Sequence, residues 1–195
     1  ATNLKFNGLG GGQTATISTN IVYGKTGSAG YGINYYGTSI SGGTGTVNLA
    51  GNLSGNLTSN ALEFTSQLKN VVGGNSLVFK VSGSNTALTS TKNISNATDG
   101  SINIRNTWVV LNSQNAFGTD NSLFVGIGEG YTNEAGKSAA LFLASGINYT
   151  GDILVKNNTR SDGVATDVYI GLENAGTSTF SGKMGFQTGN NTIAP

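Results

Sequence analysis

Histidine and cysteine do not occur anywhere in the sequence, and proline occurs once, as Pro195. Without cysteine there is no disulfide framework, no thiolate metal site and no thiol nucleophile. Without histidine the commonest general base and the commonest transition-metal ligand are missing, which excludes serine–histidine catalysis. Charge is also scarce: charged residues make up 10% of the chain and the formal net charge is +1. Nucleic-acid binding relies on clustered Lys and Arg, but the ten basic residues are scattered from Lys5 to Lys183 with no run among them. No stretch approaches the roughly 18 consecutive apolar residues of a membrane helix. The chain is expected neither to bind nucleic acid nor to span a membrane as a helix, and no cofactor is expected.

What fills the 195 residues instead is glycine, 31 of them, with Asn, Ser, Thr and short apolar runs. That length suits one domain or one continuous repeat array. Ala1 fits a mature end left by removal of a signal peptide and equally fits a boundary of other origin.

Helix formers are few and no 3.6-residue stripe of useful length appears. β-branched and aromatic residues recur in short alternating runs that end at Gly, Asn, Asp or Ser. The clearest runs are 46–49, 77–81, 102–104, 107–111, 123–125, 139–143, 153–155, 168–170 and 179–181. Sandwiches and barrels usually place prolines in loops and on exposed edge strands. Their lack favours a fold whose strands are paired on both sides. A parallel β-helix has that property, since only its first and last coils are edges. Its turns favour Asn and Gly, which tolerate left-handed backbone angles, and stacked Asn side chains can bond along the array. The expected class is therefore all-β, a parallel β-helix.

Internal repetition supports a solenoid. The segment Asn96-Ala-Thr-Asp-Gly-Ser-Ile-Asn-Ile-Arg-Asn106 resembles Asn148-Tyr-Thr-Gly-Asp-Ile-Leu-Val-Lys-Asn157, and Gly45–Gly51 resembles Gly176–Gly182 more weakly. Residues 1–45 differ in texture, with Gly10 to Gly12 followed by Tyr23, Tyr31, Tyr35 and Tyr36 among glycines. The expected division is 1–45, a less regular Gly/Tyr-rich or capping segment, and 46–195, the repeat array. The tyrosines either cover an end of the helix or form a contact surface, since Tyr joins an apolar body to a polar tip.

Four segments carry a family resemblance. Val109-Val-Leu-Asn-Ser-Gln-Asn-Ala-Phe-Gly118, Ala139-Ala-Leu-Phe-Leu143, Ala144-Ser-Gly-Ile-Asn-Tyr-Thr-Gly151 and Gly176-Thr-Ser-Thr-Phe-Ser-Gly182 resemble pieces of the autotransporter-associated β-strand repeat, found in passenger regions of bacterial surface proteins. The likeness is strongest from about Leu77 onward. Phe117 stands where the repeat has Leu, Asp99 interrupts the turn near Thr98, and residues 1–45 match poorly. The resemblance implies a right-handed β-helix displayed outside the cell, and it brings no catalytic residues. The translocator barrel of a complete autotransporter, with strands of about ten residues, is not in this sequence, which suits either a passenger fragment or a secreted subunit.

Nine acidic residues, Glu63, Asp99, Asp120, Glu129, Glu134, Asp152, Asp162, Asp167 and Glu173, are candidates for a carboxylate pair, with no diagnostic spacing. Asp152, Lys156, Arg160 and Asp162 are the one cluster suited to polysaccharide cleavage. The competing reading makes Asp99-Gly100 and Asp162-Gly163 tight turns and gives Lys156 and Arg160 to a soluble outer face. Neither an EF-hand loop nor a glycine-rich calcium nonapeptide is present. Gly126-Ile-Gly128-Glu-Gly130 lacks the helix start of a phosphate loop and reads as a turn. Trp108 is assigned to core or to the lateral cover of a strand, with sugar binding the competing role. Asn-x-Ser/Thr sites at Asn52, Asn56, Asn93, Asn96 and Asn148 are what chance provides in this composition.

The function these readings favour is a non-enzymatic, extracellular structural protein, secreted or at a bacterial cell surface. It would polymerise with copies of itself because bare solenoid ends carry unpaired backbone groups. Leu4, Phe6, Tyr23, Tyr31, Tyr35 and Tyr36 are the expected interface, and the N-terminal strand could be added to a neighbour's sheet. A monomeric passenger adhesin that binds cell-surface glycans is the alternative.

Overall fold

A computed structural model describes residues 3–23, 31–57, 61–68, 70, 74–95, 100–128, 138–156, 167–188 and 192–194. The described residues contain strands and turns and no helix, so no helix is long and apolar enough to cross a membrane. The strands wind into a parallel β-solenoid. The first coil holds β1 (Asn3–Phe6), β2 (Thr14–Ile17) and β3 (Ile21–Tyr23). The second holds β4 (Tyr31–Tyr35), β5 (Thr44–Leu49) and β6 (Leu53–Asn56), and the third β7 (Leu62–Ser66), β8 (Ser76–Val81) and β9 (Ala87–Thr89). The fourth has β10 (Ile102–Arg105) and β11 (Trp108–Leu111), and the fifth β12 (Phe124–Ile127), β13 (Ala139–Leu143) and β14 (Asn148–Tyr149). The sixth comprises β15 (Asp152–Val155), β16 (Val168–Leu172) and β17 (Thr179–Phe180). Last come β18 (Met184–Thr188) and β19 (Thr192–Ala194).

Three walls result. The first is an eight-stranded sheet ordered β1-β4-β7-β10-β12-β15-β18-β19, the second a six-stranded sheet ordered β2-β5-β8-β11-β13-β16. The third wall is built from β3-β6-β9 and β14-β17. Every pair is parallel except β18–β19. Hydrogen bonding runs without a break across residue 45, because β5 begins at Thr44 and pairs with β2 on one side and β8 on the other. The Gly/Tyr-rich N-terminal residues thus supply strands to the same walls as the rest.

Strand alternation turns every second residue inward, and parallel register stacks those residues into rows. Leu4, Ile33, Phe64, Ile104, Ile127, Val155 and Phe186 form one row of the first wall. Ile17, Leu49, Val81, Leu111, Leu143 and Leu172 form one of the second. All members of the latter from Leu49 to Leu143 are buried. At the centre Phe64 meets Phe79 from the second wall, ring centroids 5.6 Å apart, and Phe117 from the third side, 6.0 Å.

The corners use the expected turn chemistry. After the second wall, the Asn20 side chain accepts the Asn52 N–H and the Asn52 side chain accepts that of Asn85, at 3.0 and 3.4 Å. Thr19, Gly51 and Gly83 stack beside them so closely that a Cβ on Gly51 would lie 2.1 Å from the Thr19 carbonyl oxygen. Between β10 and β11 the chain turns through Asn106 and Thr107, with Asn106 in the left-handed region at φ 50°. Asn is among the few non-glycine residues that adopt it readily. Gly126 lies inside β12, where a Cβ would come within 2.7 Å of both the Asn103 side chain and Lys156 Cε, and Gly128 ends that strand at φ 111°. Gly126 is therefore strand and Gly128 its end, while Glu129 and Gly130 lie outside the described residues.

Candidate functional site

The strand edges at the two ends of a parallel solenoid have no further coil to pair with. β1, β2 and β3 are each hydrogen-bonded to one neighbour and leave the other edge free. At the opposite end β16 and β17 do the same, while β18 is followed by the antiparallel β19. Among the described residues, the exposed large apolar side chains are Leu4 (44%), Val22 (73%), Tyr36 (52%), Met184 (44%) and Phe186 (55%). Leu4 and Val22 belong to the first coil, and Met184 and Phe186 to β18. Tyr36 follows β4, donates its N–H to the Phe6 carbonyl at 2.7 Å and lies under Lys5, whose ammonium is 4.5 Å from the ring centroid. Phe6, Leu9, Ile17 and Ile21 complete the apolar floor of that end, each partly buried against the core.

Of the six expected interface residues, the structure brings Leu4, Phe6 and Tyr36 together at the N-terminal end. Tyr23 and Tyr35 are corrected to core residues, because both are buried. The Tyr35 ring packs where a Gly37 Cβ would otherwise stand, and its hydroxyl accepts the Leu9 N–H at 3.2 Å. Tyr31 pairs with Leu62 through the backbone, and its side chain lies outside the described residues. Sequence reasoning missed Val22, Met184 and Phe186. The alternation Met184-Gly-Phe186 was the available signal for the last two.

The acidic candidates among the described residues have structural partners. Glu63 pairs with Arg105 at 3.2 Å and Glu173 with Lys80 at 3.0 Å. Asp120 accepts the Ser90 and Ser122 N–H groups, Asp152 accepts that of Lys183, and Asp167 accepts the Tyr169 hydroxyl. Asp99, Glu129, Glu134, Arg160 and Asp162 lie outside the described residues. Asp152 and Lys156 sit four residues apart on and just after β15, about 13 Å along an extended chain, and Lys156 is not among the residues that line the cleft beside Asp152. Asp152 borders this cleft, of about 270 Å³, with Asp120, Lys183, Tyr149, Phe117 and Leu123. No group of three or more acidic side chains suited to a metal occurs among the described residues.

Tyr149 in this cleft repeats the Tyr35 arrangement, its ring packed over Gly151. Burial pushes its phenol well above the ordinary value of 10.0, and the charge of Asp152 adds to the shift. A phenol whose folded pKa is raised stabilises the fold fully below its unfolded pKa, and that contribution declines as pH rises past about 10. Tyr149→Phe is therefore expected to flatten the alkaline limb of stability, read as the difference in urea midpoint between pH 8 and pH 11. An unchanged limb would remove Tyr149 as its cause.

On the outer face of the second wall, Trp108 is half-buried and donates its indole N–H to Ser138 at 2.8 Å. Phe142 and Tyr169 meet it edge to face at 5.7 and 6.4 Å. Trp108 is thus a lateral cover of the sheet. Comparison of the chain with family models, curated proteins and solved structures finds no match.

Proposed function

We propose that this chain is a non-enzymatic structural protein of a bacterial cell exterior that assembles with copies of itself, the first coil of one pairing with the last coils of the next. The observation that carries this reading is the pair of free parallel edges, β1 to β3 at one end and β16 and β17 at the other, with Leu4 and Val22 exposed on the first coil. Exposed apolar patches mark contact surfaces, and Leu4 and Val22 lie on the free parallel edges of β1 and β3, which template further pairing. A β2 seated on a neighbour's β16 would place Ile17 on Leu172 and Ala15 on Ile170, extending two inward rows. The extracellular setting rests on the likeness of segments 109–118, 139–151 and 176–182 to the autotransporter-associated repeat.

Negative-stain microscopy and mass by light scattering across a concentration series test the reading. Filaments or end-to-end oligomers are expected, and Leu4→Lys with Ile17→Lys should abolish them while leaving the circular dichroism spectrum unchanged, since two buried ammonium groups per junction cannot be compensated there. Monomers that persist at high concentration both in the wild-type chain and in variants that free the edge beside β15 would overturn it. The second reading, a glycan-binding passenger, draws on the half-exposed Trp108, Phe142 and Tyr169 cluster. It requires monomers that bind a glycan and lose the binding in Trp108→Ala.

A further inference from the structure

We infer that the β18–β19 hairpin occupies the edge that a second copy of this chain needs, so that end-to-end assembly proceeds by displacing it. The inference rests on the assembly reading above. The first wall extends beyond the second: β15 and β16 belong to one coil, yet β15 is followed in its sheet by β18 whereas β16 is the last strand of its own. If a neighbour's β2 lies on β16 and its β3 on β17, its β1 must lie on β15, because β1, β2 and β3 form one coil. That place is taken by β18.

The occupant resembles the strand it excludes. β18 pairs with β15 in parallel, Ile153 opposite Met184, Leu154 opposite Gly185 and Val155 opposite Phe186. A neighbour's β1 in the same rows would set Leu4 on Val155, where Phe186 now stands. Exchange of β18 for β1 replaces one parallel strand by another with an apolar residue in the same inward row. The hydrogen bonds lost and gained on β15 nearly cancel. New pairing of β2 on β16 and β3 on β17 then supplies the net drive. β19 closes the remaining edge of β18 in the antiparallel sense, through Phe186–Ala194, Gln187–Ile193 and Thr188–Thr192. Short strands of this kind blunt sheet edges.

The absence of cysteine allows a clean lock. Neighbouring strands lie about 4.8 Å apart, within the Cα separation that a disulfide spans. Val155→Cys with Phe186→Cys therefore ties the hairpin to β15 in the full chain. Turbidity and microscopy should show no growth in the oxidised form and growth on reduction. Gly185→Pro, which removes a donor from β18, should shorten the lag relative to wild type. Growth in Gly185→Pro alone would also support the inference, with the native hairpin holding the end closed. Equal growth of oxidised and reduced lock would overturn it and leave end-to-end assembly standing. Absence of polymers in the wild-type chain, the reduced lock and Gly185→Pro alike would overturn the assembly reading and this inference with it.

Discussion

Phe64→Ala is expected to lower unfolding free energy by about 3–5 kcal/mol, the range for emptying a buried aromatic site. Phe64 is fully buried and touches all sides of the solenoid, through Phe79 on the second wall and Phe117 on the third side. It also lies in the middle of its inward row, between Ile33 and Ile104. The walls on either side are tied by backbone ladders and cannot collapse into the cavity, which places the cost in the upper part of that range. Phe186→Ala, in the same row but at the exposed end, should change stability by no more than about 0.5 kcal/mol. Urea midpoints of the two variants provide the comparison. Similar losses would mean that the core is not organised in rows with open ends.

Gly51→Val should cost about 3 kcal/mol or more, at or beyond the upper end of what overpacking does. The new Cβ would lie 2.1 Å from the Thr19 oxygen and 2.5 Å from its carbonyl carbon, both main-chain atoms of the coil beneath. The Gly51 oxygen is itself 2.5 Å from the Cβ position of Gly83 in the coil above. Relief of one contact by moving the backbone tightens the other. Gly171→Ala is the control, since the nearest atom to its Cβ is Phe142 Cδ1 at 4.0 Å, and it should remain within about 0.5 kcal/mol of wild type. Thermal melts followed by circular dichroism distinguish the two, and a Gly51→Val protein as stable as Gly171→Ala would show that the corner column can spread.

Much of the ladder is legible in local pattern. Residues 139–143 are bounded in the sequence as they are in β13, and each of the other expected runs overlaps a strand. The resemblance between 96–106 and 148–157 has a structural counterpart: Ile102 and Ile153 stand in one row of the first wall with Val125 between them, as do Ile104 and Val155 with Ile127. The weaker pair does not, since Gly45–Gly51 runs along the second wall and into its corner while Gly176–Gly182 contains β17 of the third. Both are Thr-rich strands ending at a close-packed glycine, and local composition does not say which wall a strand joins.

The period itself is hidden by the corners. Steps along the second wall are regular, from Thr14 to Thr46, Val78, Trp108, Ala140 and Tyr169. Steps along the first wall are uneven, from Glu63 to Asn103 and then to Gly126. A long segment precedes β10, and the turn after it is two residues, so two irregularities offset each other before β11.

Taken by itself, the sequence determined that the chain is all-β and parallel, that Asn and Gly make its corners, and that no histidine or cysteine chemistry is available. Those properties follow from alternation, turn conformations and side-chain inventory, all of which act over a few residues. Tertiary structure alone decided which apolar residues are left uncovered. Tyr35 and Tyr36 are adjacent and chemically identical, yet one is core and the other exposed. Leu4 and Phe186 continue the row that buries Phe64 and are exposed because the row ends at Leu4 and has only the short β19 beyond Phe186. Exposure at an end depends on how many strands each wall contains, a sum over the whole chain that no local stretch records.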